Sequence, residues 1–570
     1  MRAFRPLLLA VSTLVAVSAN AAQETVKPSE FMVASANPLA TEAGLEILHK
    51  GGSAVDAAIA VQTVLTLVEP QSSGIGGGAF MLLHNSQTEK LVAYDGRETA
   101  PMGATDALFL KEDGTAEKKR DVIPGGRSAG APGVLRMLAL AHEENGKLPW
   151  ADLFTPAIRL AEEGFAVSPR FHFMTDLYKE RLRPDGFLAY FYDEQGTPLP
   201  VGHIIKNQPY ADTLKLIAEK GVDVFYEGEI AEDIVAAVQN AEINPGVLSL
   251  DDMKNYQPKK REAVCAPYRT WKLCGMPPPS SGGIAVLQIL SLLEGFDLAS
   301  LDPASPEAAQ LFLEAARLAY ADRATHLGDS DFVHVPIQGL VDPAYLAERR
   351  TLIEQGKVMD DAPAGRPPGA KTAWLTKEPG EIPATSHFSI VDNSGQTLSM
   401  TTSIESAYGN RLMVRGFLLN NQLTDFTFVP RSESGPVANR VEPGKRPLSS
   451  MSPTIVLDDQ GRPVMTLGSP GGPLIISFVA KTLLGVLDWN MPMAEAIARP
   501  NLFPYGKAAI IERDTELMGE KEGLEAMGYA VREGGLASGL HGIIIHYGES
   551  GGRALEGGAD PRREGTAEGR

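Results

Sequence analysis

Ala384-Thr385-Ser386-His387-Phe388-Ser389-Ile390-Val391-Asp392 is the stretch on which the reading of this chain turns. Ahead of it, Lys377-Glu378-Pro379-Gly380-Glu381-Ile382-Pro383 carries two prolines and a glycine, which exclude regular structure and predict an exposed connection. Behind Thr385, Phe388, Ile390 and Val391 form a β-rich run that stops at the turn Asp392-Asn393-Ser394-Gly395, and a second strand follows over Thr397 to Thr402. A hydroxyl residue therefore opens a central hairpin. Cut before Thr385, the chain would present there both a nucleophile, the Oγ, and a base, the residue's own α-amino group, with an unperturbed pKa of about 7.7–8.0. A threonine at a strand start is equally a β-branched residue that packs well, so the local pattern leaves both readings open.

Two further stretches narrow the choice: Gly416-Phe417-Leu418-Leu419-Asn420-Asn421-Gln422-Leu423-Thr424-Asp425-Phe426 and Lys445-Arg446-Pro447-Leu448-Ser449-Ser450-Met451-Ser452-Pro453-Thr454. With the Thr385 motif, in this order and spacing, they resemble the small subunit of the γ-glutamyltransferases. Those are N-terminal nucleophile hydrolases, made as one precursor that cuts itself in front of its catalytic threonine. The resemblance implies a four-layer αββα sandwich in which both halves contribute to each sheet. It also implies a large subunit over residues 22–384, a small subunit over 385–570 and a γ-glutamyl compound such as glutathione as donor, with water or an amino acceptor taking the acyl group from Thr385.

The same resemblance assigns the site. Thr385 is the nucleophile, and Ser403 falls where the family has a second threonine supporting it; serine keeps the hydroxyl but lacks the methyl that restricts the rotamer. Gly471 and Gly472, in Gly468-Ser469-Pro470-Gly471-Gly472-Pro473, match the loop whose N–H groups stabilise the oxyanion, although the residues alone read as a Gly-Pro turn. Arg97, in Asp95-Gly96-Arg97-Glu98-Thr99-Ala100-Pro101, matches the arginine that holds the donor's α-carboxylate, for which a guanidinium fork is suited and lysine is not; Ser449 and Ser450 join it. Gln422 and Asp425 fall where the α-ammonium is accepted. Glu405 departs from the pattern, standing where well-known members carry asparagine, and its carboxylate either strengthens the hold on an ammonium or crowds Asp425 and raises one pKa.

Two rival functions are weighed against this one. A glutaryl or cephalosporin acylase of the same fold would bind a chain without an ammonium, leaving Asp425 and Glu405 unpaired, which ranks γ-glutamyl donors first. A non-catalytic amino-acid binding protein built on the same clamp would need no cut before Thr385.

Composition and the remaining motifs set limits on partners. The 570 residues carry a formal net charge of −19, which disfavours nucleic acid and anionic membrane, and 44% are hydrophobic, ample for a large core. Residues 1–21 read as a secretory signal, with Arg2 and Arg5 ahead of an apolar run over Leu7 to Val17 and a small-residue cleavage site at Ala19-Asn20-Ala21. Export to a periplasm or beyond follows. In that setting Cys265 and Cys274, facing across an expected hairpin, form a structural disulfide or remain two buried thiols. No cofactor or metal is called for. The glycines between Glu69 and Phe80 lack the Lys-Ser/Thr of a phosphate loop and read as close backbone packing, and His326 and His334 lack the i, i+4 spacing of a helical metal pair. His387, two past Thr385 and on the same side of the strand, is a candidate orienting group.

Periodicity predicts helices over 38–50, 54–68, 134–142, 152–163, 211–219, 284–294, 306–325, 474–487 and 493–498. Strands are expected over 79–84, 90–95, 386–391, 397–402, 454–457 and 464–467, with 509–512 and 542–547 as an outer pair. The Gly-rich, charged end after Gly551 is expected to fray. The segment from Phe426 to Leu448 contains no tyrosine, unlike the full lid of relatives, which favours water over amino acceptors.

Overall fold

The computed structural model of the chain describes residues 30–179, 190–370, 384–433, 435–548 and 552–570. The signal segment and most of the connection ahead of Thr385 lie outside the described residues. Strand β1 (Met32–Ser35) leads into helix α1 (Pro38–His49), which starts where Asn37 accepts from the Leu39 amide and Pro38 takes the first helical turn. A reciprocal cap between Ser53 and Asp56 opens α2 (Ala54–Val68), and every residue of α2 is buried. Strands β2 (Gly78–Asn85) and β3 (Lys90–Gly96), helix α3 (Val134–Asn145) and strands β4 (Lys259–Arg261), β5 (Val264–Tyr268) and β6 (Trp271–Gly275) follow. Next come α4 (Gly282–Leu293) and α5 (Pro306–His326). Past Ala384 the chain supplies β7 (Ser386–Val391), β8 (Thr397–Ser403), β9 (Thr454–Leu457), β10 (Pro463–Gly468), α6 (Ile475–Leu487), β11 (His541–Tyr547), β12 (Arg553–Ala559) and β13 (Thr566–Gly569).

Two sheets form the middle of the molecule. The first has the order β13-β1-β7-β8-β2-β3-β4 and the second β12-β11-β10-β9-β6-β5. Residues on both sides of Ala384 contribute to each, as the sandwich requires. Helices α1, α2 and α3 cover the outer face of the first sheet, while α4 and α6 cover that of the second, with α5 packed on α4. Between the sheets an apolar patch of Met32, Ala34, Val391, Ile543, Ile545 and Leu555 adjoins a polar seam. In that seam the Ser399 hydroxyl donates to the Leu467 carbonyl at 2.9 Å and the Thr466 hydroxyl to the Leu398 carbonyl at 3.0 Å. The architecture is a four-layer αββα sandwich.

Three expectations are resolved or corrected. Cys265 and Cys274 stand opposite each other in the β5–β6 hairpin and are joined as a disulfide. The outer pair does not exist: Ala508–Glu512 lies in a separate three-stranded sheet, whereas β11 runs inside the second sheet between β10 and β12. Alternation marks a strand but carries no information on its partner. The C-terminal end does not fray. Strand β12 pairs with β11, β13 pairs with β1, and the Glu30 amide donates to the Arg570 carbonyl at 2.6 Å. The tail's glycines serve close packing, since a Cβ on Gly557 would stand 2.7 Å from Met32 Sδ and one on Gly558 2.8 Å from Met493 Cγ.

A chain ending at Asp560 loses β13 and its pairing with β1. Its melting midpoint, measured by calorimetry, is expected to fall by several degrees; an unchanged midpoint would show that the terminal strand adds nothing to the sheet.

Candidate functional site

Thr385 lies at the mouth of the first sheet, 3% exposed, where β7 begins and β8 ends beside it. The register brings Ser403, the last residue of β8, to its hydroxyl: Thr385 Oγ1 and Ser403 Oγ are 3.1 Å apart. Ser403 Oγ also donates to the Ala384 carbonyl at 3.0 Å and accepts from the Glu405 amide at 2.8 Å. A hydroxyl has one proton to give, so with Ser403's directed at Ala384, the Thr385 hydroxyl is the donor in their shared bond. The Ala384 amide in turn donates to the Glu405 carbonyl at 2.9 Å, so Ala384 is clamped by both its amide and its carbonyl.

The glycines read as packing residues make this clamp. A Cβ on Gly77 would stand 2.2 Å from the Ser403 carbonyl oxygen and one on Gly76 2.1 Å from that of Leu418, so no other residue lets the chain pass so close. Asn420 fixes the next turn, its side-chain amide donating to the Gly76 and Gly130 carbonyls at 2.9 Å each. Gln422–Asp425 then forms a 3-10 turn that presents both side chains to one point.

At that point Arg97, buried to 1% exposure, leaves the end of β3. Its Nε donates to the Pro447 carbonyl at 3.2 Å, and Nη2 donates to the Leu448 carbonyl at 3.1 Å and to Asp425 Oδ2 at 2.6 Å. Nη1 is the nitrogen left for a ligand. Its near neighbour is Glu98 Oε2 at 3.9 Å. The next two residues after Leu448 are Ser449 and Ser450, whose oxygens accept from the Met451 amide at 3.1 Å and from Arg323 Nη2 at 2.8 Å. With those acceptor positions occupied, each serine keeps its proton to donate to an anion. Arg323 also donates to Ser281 Oγ at 2.7 Å, and Ser281 donates to the Ser449 carbonyl at 2.6 Å. The Pro277–Gly283 turn thus braces the serine pair rather than supplying a nucleophile.

Glu405 does not stand free beside Asp425. Lys119 Nζ lies 2.7 Å from Glu405 Oε1 and 3.6 Å from Asp425 Oδ1. Glu405 Oε2 takes donors from Ser406 and Asn421, and Gln422 Nε2 donates to Asp425 Oδ2 at 3.2 Å. Burial works to raise the Glu405 pKa, but the Lys119 ammonium and these hydrogen bonds outweigh it and hold the group below the usual range. Burial, and then the Glu405 charge, push Asp425 the other way. The cost foreseen for a donor without an ammonium, two unpaired carboxylates, is removed by Lys119.

The loop carrying Gly471 and Gly472 follows β10, with φ of 136° and 55° at the two glycines, and Tyr320 ties it down through the Pro473 carbonyl at 2.6 Å. Gly468, at the end of β10, packs against the His387 ring; a Cβ there would be 2.4 Å from its Cε1. That ring is not an orienting group for Thr385. His387 Nδ1 pairs with Thr401 Oγ1 at 2.9 Å and Nε2 with Ser389 Oγ at 3.2 Å, and burial, then His541, hold its pKa well below the ordinary value. It is a neutral ring whose hydrogen bonds stay within the first sheet and whose edge packs on Gly468 of the second.

Three site residues escaped sequence reasoning. Lys119 sits in the run Lys118-Lys119-Arg120-Asp121, which reads as a solvated charge cluster. Arg323 lies on a long helix with no local motif. Arg563, in the tail, donates to the Thr385 carbonyl at 3.2 Å. Only the register of distant segments brings them here.

Comparison with known proteins agrees with this geometry. The sequence model of the family Gamma-glutamyltranspeptidase matches residues 40–570. The glutathione hydrolase proenzyme of Bacillus subtilis (strain 168) is 39% identical over 480 residues, which cover 83% of this chain and 80% of that protein. The glutathione hydrolase proenzyme of Escherichia coli (strain K12) is 37% identical, covering 83% of this chain and 81% of its own length. Among solved structures, the cephalosporin acylase from Bacillus halodurans superposes with a TM-score of 0.82 at 27% identity over 99% of both chains. The fold and the threonine-headed strand define an N-terminal nucleophile hydrolase. The chain belongs to the gamma-glutamyltranspeptidase family.

Glu98 sets a pH limit on this site. Neither of its oxygens reaches a hydrogen-bond partner in another residue, and burial, offset only in part by Arg97, pushes its pKa up to about 8. Below that pH it is neutral and leaves the Arg97 charge to a ligand; above it, an anion 3.9 Å from Nη1 competes. The KM of a γ-glutamyl anilide is therefore expected to climb as pH passes about 8. Glu98→Gln should flatten that climb, whereas superimposable profiles for the two proteins would remove Glu98 from the site.

Proposed function

We propose that this chain is an exported, self-processing γ-glutamyl hydrolase and transferase that works through Thr385. The observation that carries the reading is the Ser403 hydroxyl, which links the Thr385 hydroxyl to the Ala384 carbonyl. In self-processing, Thr385 Oγ1 bonds to the Ala384 carbonyl carbon. Its proton passes to Ser403 Oγ while the Ser403 proton moves onto the developing oxyanion. Collapse breaks the carbon–nitrogen bond, the nitrogen takes the proton, and water hydrolyses the resulting ester to an Ala384 carboxylate and a free Thr385. Residues 22–384 and 385–570 become the two subunits.

In turnover the same Oγ1 attacks the donor's γ-amide. The new α-amino group takes the proton and delivers it to the leaving amine, and the γ-glutamyl ester passes to water or an amino acceptor. Ser449, Ser450 and Arg97 Nη1 serve the α-carboxylate, Gln422 and Asp425 the amino end, with Glu405 behind them paired to Lys119, and the Gly471 and Gly472 amides the oxyanion. Arg563, donating to the Thr385 carbonyl at 3.2 Å, holds the residue that carries this amine in place. The disulfide suits an oxidising compartment, and no helix among the described residues is long and apolar enough to cross a membrane.

Thr385→Ala is expected to stay one chain on a denaturing gel, and Ser403→Ala to be cut more slowly by about 100-fold or more, as loss of a positioned proton relay entails. Normal cleavage of Thr385→Ala at 384/385, read by mass spectrometry, would end the reading.

The cover over the site is small. Phe428 stacks on Phe109 at 4.3 Å, and Asn439 draws the ends of the segment together through the Asp425 carbonyl at 2.7 Å and the Leu448 amide at 2.9 Å. Folded down in this way and without a tyrosine, it leaves the ester open to water. Free glutamate is expected to exceed γ-glutamyl-glycylglycine at low millimolar acceptor; a majority of transfer product there would contradict it.

A further inference from the structure

The Lys119 ammonium occupies the place between two carboxylates that a donor's α-ammonium would take. Every oxygen of those carboxylates has a partner within the chain: Glu405 through Lys119, Ser406 and Asn421, and Asp425 through Arg97, Gln422 and Lys119. The acceptors left at this end are Gln422 Oε1, which is buried without a hydrogen-bond partner and carries no charge, and Asp425 Oδ1, which accepts no hydrogen bond but has Lys119 Nζ 3.6 Å away.

Lys119 is held there. Its side chain is 13% exposed, and Val122, three residues on, packs with Phe109, Leu423, Phe426 and Val441 in a small core that also carries the Asp425 turn. Glu405 adopts φ of 79°, a left-handed conformation that asparagine tolerates far better than glutamate. The glutamate thus keeps an unfavourable backbone for the sake of a side chain whose charge Lys119 neutralises. With Arg97 and Lys119 set against Glu405 and Asp425, the clamp is neutral before any donor arrives. Ser449 and Ser450, the latter bonded by the Arg323 guanidinium, each keep a hydroxyl proton for an anion.

We propose that Lys119 is an internal counter-cation that replaces the donor's α-ammonium, so that the site accepts acyl donors bearing the carboxylate but no α-amino group, of the glutaryl type. The inference rests on the Thr385 reading for its chemistry and adds the donor class. An α-ammonium is dispensable here: a glutaryl chain leaves the clamp paired, while a γ-glutamyl chain brings a second cation that has to share Asp425 Oδ1 with Lys119. Lys119 acts by charge on donor choice and takes no part in the bond changes at Thr385.

The test compares γ-glutamyl-p-nitroanilide with glutaryl-p-nitroanilide on processed wild-type enzyme, on Lys119→Met and on the double variant Lys119→Met/Glu405→Asn. The double variant removes both charges and leaves no orphan carboxylate, so it keeps the test open if the single variant fails to fold. The wild type is expected to cleave the glutaryl anilide at least as well by kcat/KM. The double variant is expected to move the ratio toward the γ-glutamyl anilide by about tenfold or more, mainly through KM. A wild type that strongly prefers the γ-glutamyl anilide, or a ratio untouched in the double variant, overturns the proposal. Silence toward both anilides would count against the Thr385 reading instead, and calorimetry then decides the Lys119 inference. Glutarate binding at least as tightly as L-glutamate in the wild type, with the order reversed in the double variant, supports it, and L-glutamate tighter in both overturns it.

Discussion

The position of one hydroxyl governs the site. Ser403 Oγ meets the Glu405 amide, the Ala384 carbonyl and the Thr385 hydroxyl within 3.1 Å, and a hydroxyl has just enough hydrogen-bonding capacity for the three. That saturation dictates which way each proton points. It holds only if strand β8 ends in register with the start of β7, which the Thr402–Ser386 pairing secures, and if the chain crossing behind it at Gly76 and Gly77 carries no side chain. The sandwich is the frame that keeps these segments in place to a fraction of an ångström. The buried seam between its sheets, where the His387 ring packs on Gly468 and Ser399 bonds the Leu467 carbonyl, ties the Thr385 hairpin to β10 and the glycine loop beyond it.

Much of this was legible in the residues. Helices α1 and α2 and the central hairpin announced themselves by period and breakers, and the Gly74–Gly78 run was readable as close packing. What escaped depends on partners distant along the chain. The tail's glycines look like a frayed end until Met32 and Met493 are seen to press on them. Lys119 looks like one solvated charge among several until the fold sets it against a carboxylate 286 positions away. A helix period or a turn signal is a local property, whereas ion pairing across a core is decided by topology.

Electrostatics in the clamp follow the same division. Burial alone would neutralise Glu405, as it does Glu98 near neutral pH; a cation within hydrogen-bonding distance keeps the first charged and its absence leaves the second protonated. Two glutamates in the same site thus take opposite protonation states, one paired to Lys119 and the other neutral beside Arg97.

The interleaving of the sheets has a further consequence for any molecule cut at 384/385. Strands β7 and β8 lie between β1 and β2, and β5 and β6 continue the second sheet from β9, so each fragment is hydrogen-bonded into the interior of the other. Neither of the two central sheets belongs to one piece alone. Separation would expose the seam, the interior apolar faces and several rows of backbone donors together, which amounts to unfolding both fragments. The nicked protein should therefore behave on dilution as one folded unit, with no monomer–dimer equilibrium to shift, and subunits should not be exchanged between molecules. Cleavage would free an amine at the site while leaving the chain's topology as knit as before.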